Sequence, residues 1–242
     1  MKIIRHIPNT ITSMNLLFGA MGVIATFNGR FDLAFYMMLA AAVCDFCDGL
    51  SARLLGAYSD MGKELDSLAD MISFGLLPSL MMHRLMVTHI GEGVLTYIPL
   101  IIAVFSALRL AKFNIDERQS ENFICLATPA CAMICGSFAY YVSNDTSSVL
   151  YSWMTGEFFI PIASIILSLL LVSEIPMLSM KFKKNIKPGT PIHKQRIGFA
   201  GVIFVSIVLV TLLGLNWSMI ILLTFISYIV MNLGVFLLFR KK

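Results

Sequence analysis

Charge is what this sequence has least of. Only 13% of its 242 residues are Asp, Glu, Lys or Arg, about half the share of a soluble globular chain, which is about 25%. With 58% hydrophobic residues and a mean hydropathy of +0.84, a soluble domain is excluded and an all-α, multi-span integral membrane protein is expected. The net charge of +4 is no sign of nucleic-acid binding, because the cations sit between the apolar runs and never along one face. Cysteine offers little: there are five, all in apolar stretches. Cys44 and Cys47 have CxxC spacing but no second pair at metal distance, so they read as inert packing residues. A cleavable leader is not expected, since Lys2 and Arg5 run into a polar IPNT rather than a short apolar core. No internal repeat is evident, which argues against an inverted-repeat transporter.

What is present is hydrocarbon in blocks of membrane length. Windows of about 20 apolar residues give eight expected spans, near 11–29, 33–53, 64–84, 94–112, 123–143, 158–180, 197–214 and 217–239. Pro78 is expected to kink the third. If the N-terminus is inside, the inner segments carry 16 Lys and Arg and the outer turns only Arg30 and Arg84. That asymmetry predicts both termini in the cytoplasm. It also divides the chain into a core over 1–180, a basic cytoplasmic loop over 181–196 and a two-helix extension over 197–242. The extension has no charged residue from Gly198 until Arg240. His83 and His89 fall on the outer side and read as interfacial residues.

Against that background, residues 45–70, DFCDGLSARLLGAYSDMGKELDSLAD, stand out. An Asp at the centre of a membrane helix costs roughly 2.5–3.5 kcal/mol. Asp45, Asp48, Asp66 and Asp70 would then sum to on the order of 10 kcal/mol, a whole domain's stability. At 100° per residue, Asp45 and Asp48 lie about 60° apart on one helix face. Gly62, Asp66 and Asp70 repeat every fourth residue as one stripe of the next helix. The short segment between them reverses the chain, with Ser59 and Asp60 as helix caps. The two helices are expected to return side by side and antiparallel, with their carboxylates meeting at one point. Like charges that close need divalent cations between them, and few hard oxygen ligands suit Mg²⁺ or Mn²⁺. Gly49, Ala52 and Gly62 permit a close approach of backbone or nucleotide. By the loop charges, this site faces the cytoplasm.

The pattern D-x2-D-G-x2-A-R-x8-G-x3-D-x3-D, on Asp45, Asp48, Gly49, Ala52, Arg53, Gly62, Asp66 and Asp70, resembles the signature of the CDP-alcohol phosphatidyltransferase family. Three further stretches, IPNTITSMNLLFG at 7–19, RLAKFN at 109–114 and LATPA at 126–130, are similar to its bacterial, membrane-embedded, serine-accepting branch. The resemblance covers roughly residues 7–180. It implies a six-helix catalytic core, with the last two helices as an addition, and a homodimer in the inner (cytoplasmic) membrane. It also implies a reaction: the phosphatidyl group of CDP-diacylglycerol passes to the hydroxyl of L-serine and CMP leaves.

The resemblance further distributes the residues. Asp45, Asp48 and Asp66 are the expected metal ligands, with Asp70 shared or close by; two ions would clamp the attacking and leaving oxygens. Asp70 is also the expected general base. Asn9, Thr12, Asp48, Gly49, Ala52, Arg53 and Gly62 would take CDP-diacylglycerol, Arg53 through its planar fork. Arg109 and Lys112 would hold the serine carboxylate, with Asn114 orienting it, although all three also fit an ordinary cationic helix end. Two alternatives stay open: another acceptor, such as glycerol 3-phosphate or inositol, or a divalent-cation transporter. The transporter would want carboxylates through the full membrane depth, and the outer halves of the spans have almost none.

Overall fold

The computed structural model describes residues 6–115, 123–145, 149–177 and 191–240. They form an all-α membrane protein. Its first rod, α1 (Ile7–Phe27), opens with Pro8 in its first turn, where the missing N–H is no loss. The face that α1 buries is small and polar: Thr12, Asn15, Gly19, Gly22 and Thr26. Met14, Leu17, Met21, Ile24 and Phe27 are exposed instead. That inversion suits a bilayer, where large apolar side chains meet lipid and small residues let helices close up. Both α2 (Phe31–Leu55) and α3 (Asp60–Asp70) pack on α1.

The chain turns between α2 and α3 at Gly56, whose φ of 59° is left-handed and needs no Cβ. The Ala57 N–H returns to the Ala52 carbonyl at 3.0 Å and closes the helix end. Ser59 then caps α3, its hydroxyl accepting the Gly62 N–H at 3.0 Å, as its position foretold. Beyond Asp70 the helix widens into a π turn, Met71–Leu76, before resuming as α4 (Leu77–Ile90). Pro78 explains the widening: it has no N–H for the Phe74 carbonyl and its ring presses on that turn. The expected irregularity is there, but it sits N-terminal to the proline and directly follows Asp70.

A 3₁₀ segment, Val94–Leu100, leads into α5 (Ile101–Ile115). The hub is α6 (Thr128–Asn144), buried over nearly its whole length, as a helix apolar all round should be. It packs against α2, α4 and the last helix. A short α7 (Val149–Met154) precedes α8 (Phe159–Val172), which lies on α5. One two-residue antiparallel ladder, β1 (Phe123–Ile124) with β2 (Pro176–Met177), ties the approach to α6 to the exit from α8. The last pair are α9 (Pro191–Leu212) and α10 (Ser218–Arg240).

A helix stands at each of the eight expected places, and among the described residues five helices are long and apolar enough to cross a membrane alone. The expected spans 123–143 and 158–180 took in extended chain. Pro129 starts α6 late, and α8 stops at Val172, three residues before the Ile175–Pro176 bond. Its 14 residues make about 21 Å, short of a hydrocarbon core of about 30 Å. The basic loop read over 181–196 also ends sooner, because Pro191 begins α9. Residues 181–190, with Lys181, Lys183, Lys184 and Lys187, lie outside the described residues, as do Lys2, Arg5, Arg118, Lys241 and Lys242.

Candidate active site

The carboxylates are collected by α1. Among the described elements α2 and α3 share no extended contact, and both lean on α1 instead. The continuation of α3, the π turn and α4, does pack on α2. Acid side chains reaching inward from two helices need a gap between the backbones, and α1 fills it with short polar groups. Asp45, Asp48 and Asp66 come together, each offering an oxygen within 4.8 Å of the others. Asp48 is buried, and the Thr12 hydroxyl donates to its Oδ2 at 2.6 Å. Asp66 Oδ1 is buried with no hydrogen-bond partner among the described residues. A buried carboxylate oxygen left unmatched is costly. Three converging hard oxygens, one of them unmatched, fit a divalent cation of the Mg²⁺ or Mn²⁺ kind.

Asp70 lies one turn further along α3, outside that trio. It is buried, and Asn15 Nδ2 donates to its Oδ1 at 3.3 Å. It still lies within the electrostatic reach of Asp45, Asp66 and Arg109. The Asn15 carbonyl accepts the Ser73 hydroxyl at 3.0 Å, so one residue of α1 holds both Asp70 and the π turn behind it. Asn15 is fully buried, and its Oδ1 has no partner among the described residues. Sequence reasoning missed Asn15. The available signal was its place in the small, polar stripe with Thr12 and Gly19.

Next to the trio opens a cleft of about 230 Å³, lined by Asn9, Thr12, Asp48, Gly49, Ala52, Gly62 and Asp66, and also by Pro8, Ala57, Tyr58, Ser59 and Lys63. Six of the seven positions expected around a nucleotide line it. A Cβ on Gly62 would come to 3.0 Å from Asn9 Oδ1, so this glycine admits α1. Arg53 is the exception: its Nε donates to the Gly49 carbonyl at 2.9 Å, which lays it back along its own helix. Lys63 was not anticipated; its Nζ reaches the Asn114 carbonyl at 2.9 Å from the cleft wall.

The three residues expected at an acceptor separate. Arg109 is buried at 7% exposure and faces the carboxylates, its charge reaching Asp45 and Asp70. It donates to the Thr128 hydroxyl at 3.1 Å and lies over the Phe113 ring, yet its Nε is unpartnered among the described residues. Cys125, in reach of the same guanidinium, holds the one positive φ outside glycine among the described residues, 82°. Lys112 turns away to Glu174 at 3.9 Å, both well exposed. Asn114 donates to Ser67 at 2.9 Å and so joins α5 to α3. His83 and His89 are held by the Thr96 and Leu85 carbonyls, remote in sequence from this cluster.

A family model described as CDP-alcohol phosphatidyltransferase matches residues 5–157. The chain is 34% identical over 138 residues to the CDP-diacylglycerol–serine O-phosphatidyltransferase of Bacillus subtilis, covering 56% of this chain and 77% of that one. It is 30% identical over 232 residues to the protein of the same name from Mycobacterium leprae, covering 92% and 73%. With the Helicobacter pylori protein of that name it shares 34% over 129 residues, covering 52% of this chain and 54%, about half, of the relative.

Proposed function

Because the chain belongs to the CDP-alcohol phosphatidyltransferase family, we propose that it transfers the phosphatidyl group of CDP-diacylglycerol to the hydroxyl of L-serine, yielding phosphatidylserine and CMP. The observation that carries this reading is the oxygen trio of Asp45, Asp48 and Asp66 beside a cleft that Asp48 and Asp66 also line. Those three residues would hold the divalent cation, with Asp70 beside them. The cation supplies charge neutralisation at the diphosphate when bound.

The remaining steps belong to the chain's own side chains. The cleft from Asn9 to Gly62 takes the cytidine end, with Lys63 and a swung Arg53 as phosphate partners. Asn15 holds one oxygen of Asp70, leaving the other to accept the serine hydroxyl proton. The serine oxygen then attacks the phosphatidyl phosphorus, and the bond from that phosphorus to CMP breaks. Arg109 is the carboxylate partner, through the Nε left over once its terminal nitrogen bonds Thr128. Lys112 and Asn114 act around it by holding Glu174 and Ser67.

The loop charges support a cytoplasmic site in the inner membrane with both termini inside. A homodimer rests on the family resemblance and is measurable by light scattering in detergent. The deciding experiment incubates the purified protein with CDP-diacylglycerol and, separately, L-serine, glycerol 3-phosphate and inositol, following CMP and lipid product. Release with serine alone is expected. Release with another acceptor and not with serine would defeat the serine assignment.

A further inference from the structure

The residues assigned to the acceptor have no open way in. Asp70 and Arg109 are both buried, and neither lines the polar cleft, which reaches Asp48 and Asp66 instead. L-serine carries its carboxylate, ammonium and hydroxyl on adjoining carbons, so it must enter whole and shed its water. Part of the wall around Arg109 has to move to admit it.

That wall is firm where it is helical. Asn114 ties α5 to α3 through Ser67, and Arg109 ties it to the first residue of α6. It is thin at residues 123–126, the extended approach to α6. Cys125 lies in reach of the Arg109 guanidinium, and its own N–H donates to the Ile175 carbonyl at 3.0 Å. The Leu126 N–H donates to the Leu170 carbonyl, also at 3.0 Å. Those bonds and the two-residue ladder lay residues 173–177, the exit from α8, across residues 123–126. Such a ladder is too short to stand by itself. The ion pair of the exit, Glu174 with Lys112 at 3.9 Å, is well exposed and adds little. Yet Cys125 is held at φ 82°, a conformation that a residue with a side chain keeps only where its surroundings impose it. The bond to Ile175 is made by that residue's own N–H, so the strain lasts while the contact does.

We propose that residues 173–177 form a strap over the acceptor end of the site. It releases Cys125 and Leu126 to admit the acceptor, then settles again and keeps water from the phosphatidyl phosphorus. The inference rests on the reading of Arg109 and Asp70 given above. A loosened strap has a chemical consequence, because water then takes the place of serine. The water oxygen attacks that phosphorus, one of its protons passes to Asp70, and the bond to CMP breaks, giving phosphatidic acid and CMP.

The test clamps the strap. Phe123→Cys is combined with Met177→Cys, positions whose Cα atoms are partners in the ladder, and one preparation of the purified protein is assayed oxidised and again after dithiothreitol, the cross-link being confirmed by peptide mapping. Oxidation should lower kcat/KM for L-serine about tenfold or more and dithiothreitol should restore it, with CDP-diacylglycerol bound equally in both forms. A serine kcat/KM that is the same in both forms would overturn the proposal. A second arm leaves the ladder as it is. Wild type and Glu174→Lys, which sets two lysines against each other, are treated with N-ethylmaleimide and the label at Cys125 is followed by mass spectrometry, with Cys131 and Cys135, buried in α6, as references. Cys125 should react about threefold faster in Glu174→Lys, and CMP release without serine should rise with it. Equal labelling and equal serine-free release in the two proteins would sink the strap. Faster labelling of Cys125 with no turnover on serine in any form would fault the acceptor reading and leave the moving strap standing.

Discussion

From α1 to α6 the helices are joined by hydrogen bonds that cross between them, whereas the start of α10 is anchored to the core by the aromatic rings around Trp217. Thr12 bonds Asp48, Asn15 bonds Asp70, Asn114 bonds Ser67 and Arg109 bonds Thr128, each pair at least 19 residues apart in sequence. At the other end, Trp217 sits among Tyr36, Phe35 and Tyr140, and its Nε1 donates to the Tyr140 hydroxyl at 3.4 Å. In a bilayer the two strategies do different work. Packing among small and apolar residues gives adhesion. Buried polar groups are costly unless matched, so a matched network fixes geometry and its loss is felt at once. The clustered carboxylates and the residues that hold them lie in the first region.

That contrast is open to attack at several points. The largest effect should come from Asp66→Asn, which removes the charge α3 brings to the trio: CMP release should fall by roughly a thousandfold or more, and Mn²⁺ affinity, read by paramagnetic resonance, should fall with it. Asp70→Asn should lower kcat by at least about a hundredfold while CDP-diacylglycerol still binds. Wild-type turnover in that variant would remove Asp70 as the base. Asn15→Leu keeps the bulk and removes the donor, so kcat should drop about ten- to a hundredfold with both KM values near wild type. A purely structural role would instead lower thermal stability and leave the kcat of the folded fraction unchanged. Arg109→Ala should raise the serine KM by about tenfold or more and the donor KM far less; the reverse split would move Arg109 to the nucleotide side. The smallest effect on chemistry belongs to Trp217→Ala. It should cost about 2 kcal/mol of stability, seen as a lower melting temperature in detergent, with kcat on a short-chain donor retained.

The same contrast explains what the sequence disclosed. Carboxylates are so rare in membrane helices that Asp45, Asp48, Asp66 and Asp70 announce themselves; helical spacing puts Asp45 and Asp48 on one face, and packing on α1 brings Asp66 to them. Ser59 was legible as a cap because capping is local. Asn15 was legible only as a member of the small, polar stripe of α1, and its role depends on Asp70, which arrives 55 residues later. Lys112 and Asn114 look like acceptor ligands in a cationic helix end, and their partners, Glu174 and Ser67, come from distant parts of the chain. The π turn was legible only as an irregularity at Pro78, and the close fit of Gly75 to Ser106 within it comes from α5. Helix ends at α6 and α8 were misjudged because hydropathy does not distinguish an apolar helix from apolar extended chain.

The central claim is that three carboxylates from two helices gather a divalent cation on which phosphatidyl transfer depends. The direct measurement is CMP release from CDP-diacylglycerol and L-serine by protein stripped with EDTA and then titrated with Mg²⁺ or Mn²⁺. The account predicts no release in the stripped protein and full recovery on adding either ion. Turnover that continues undiminished in EDTA would contradict it.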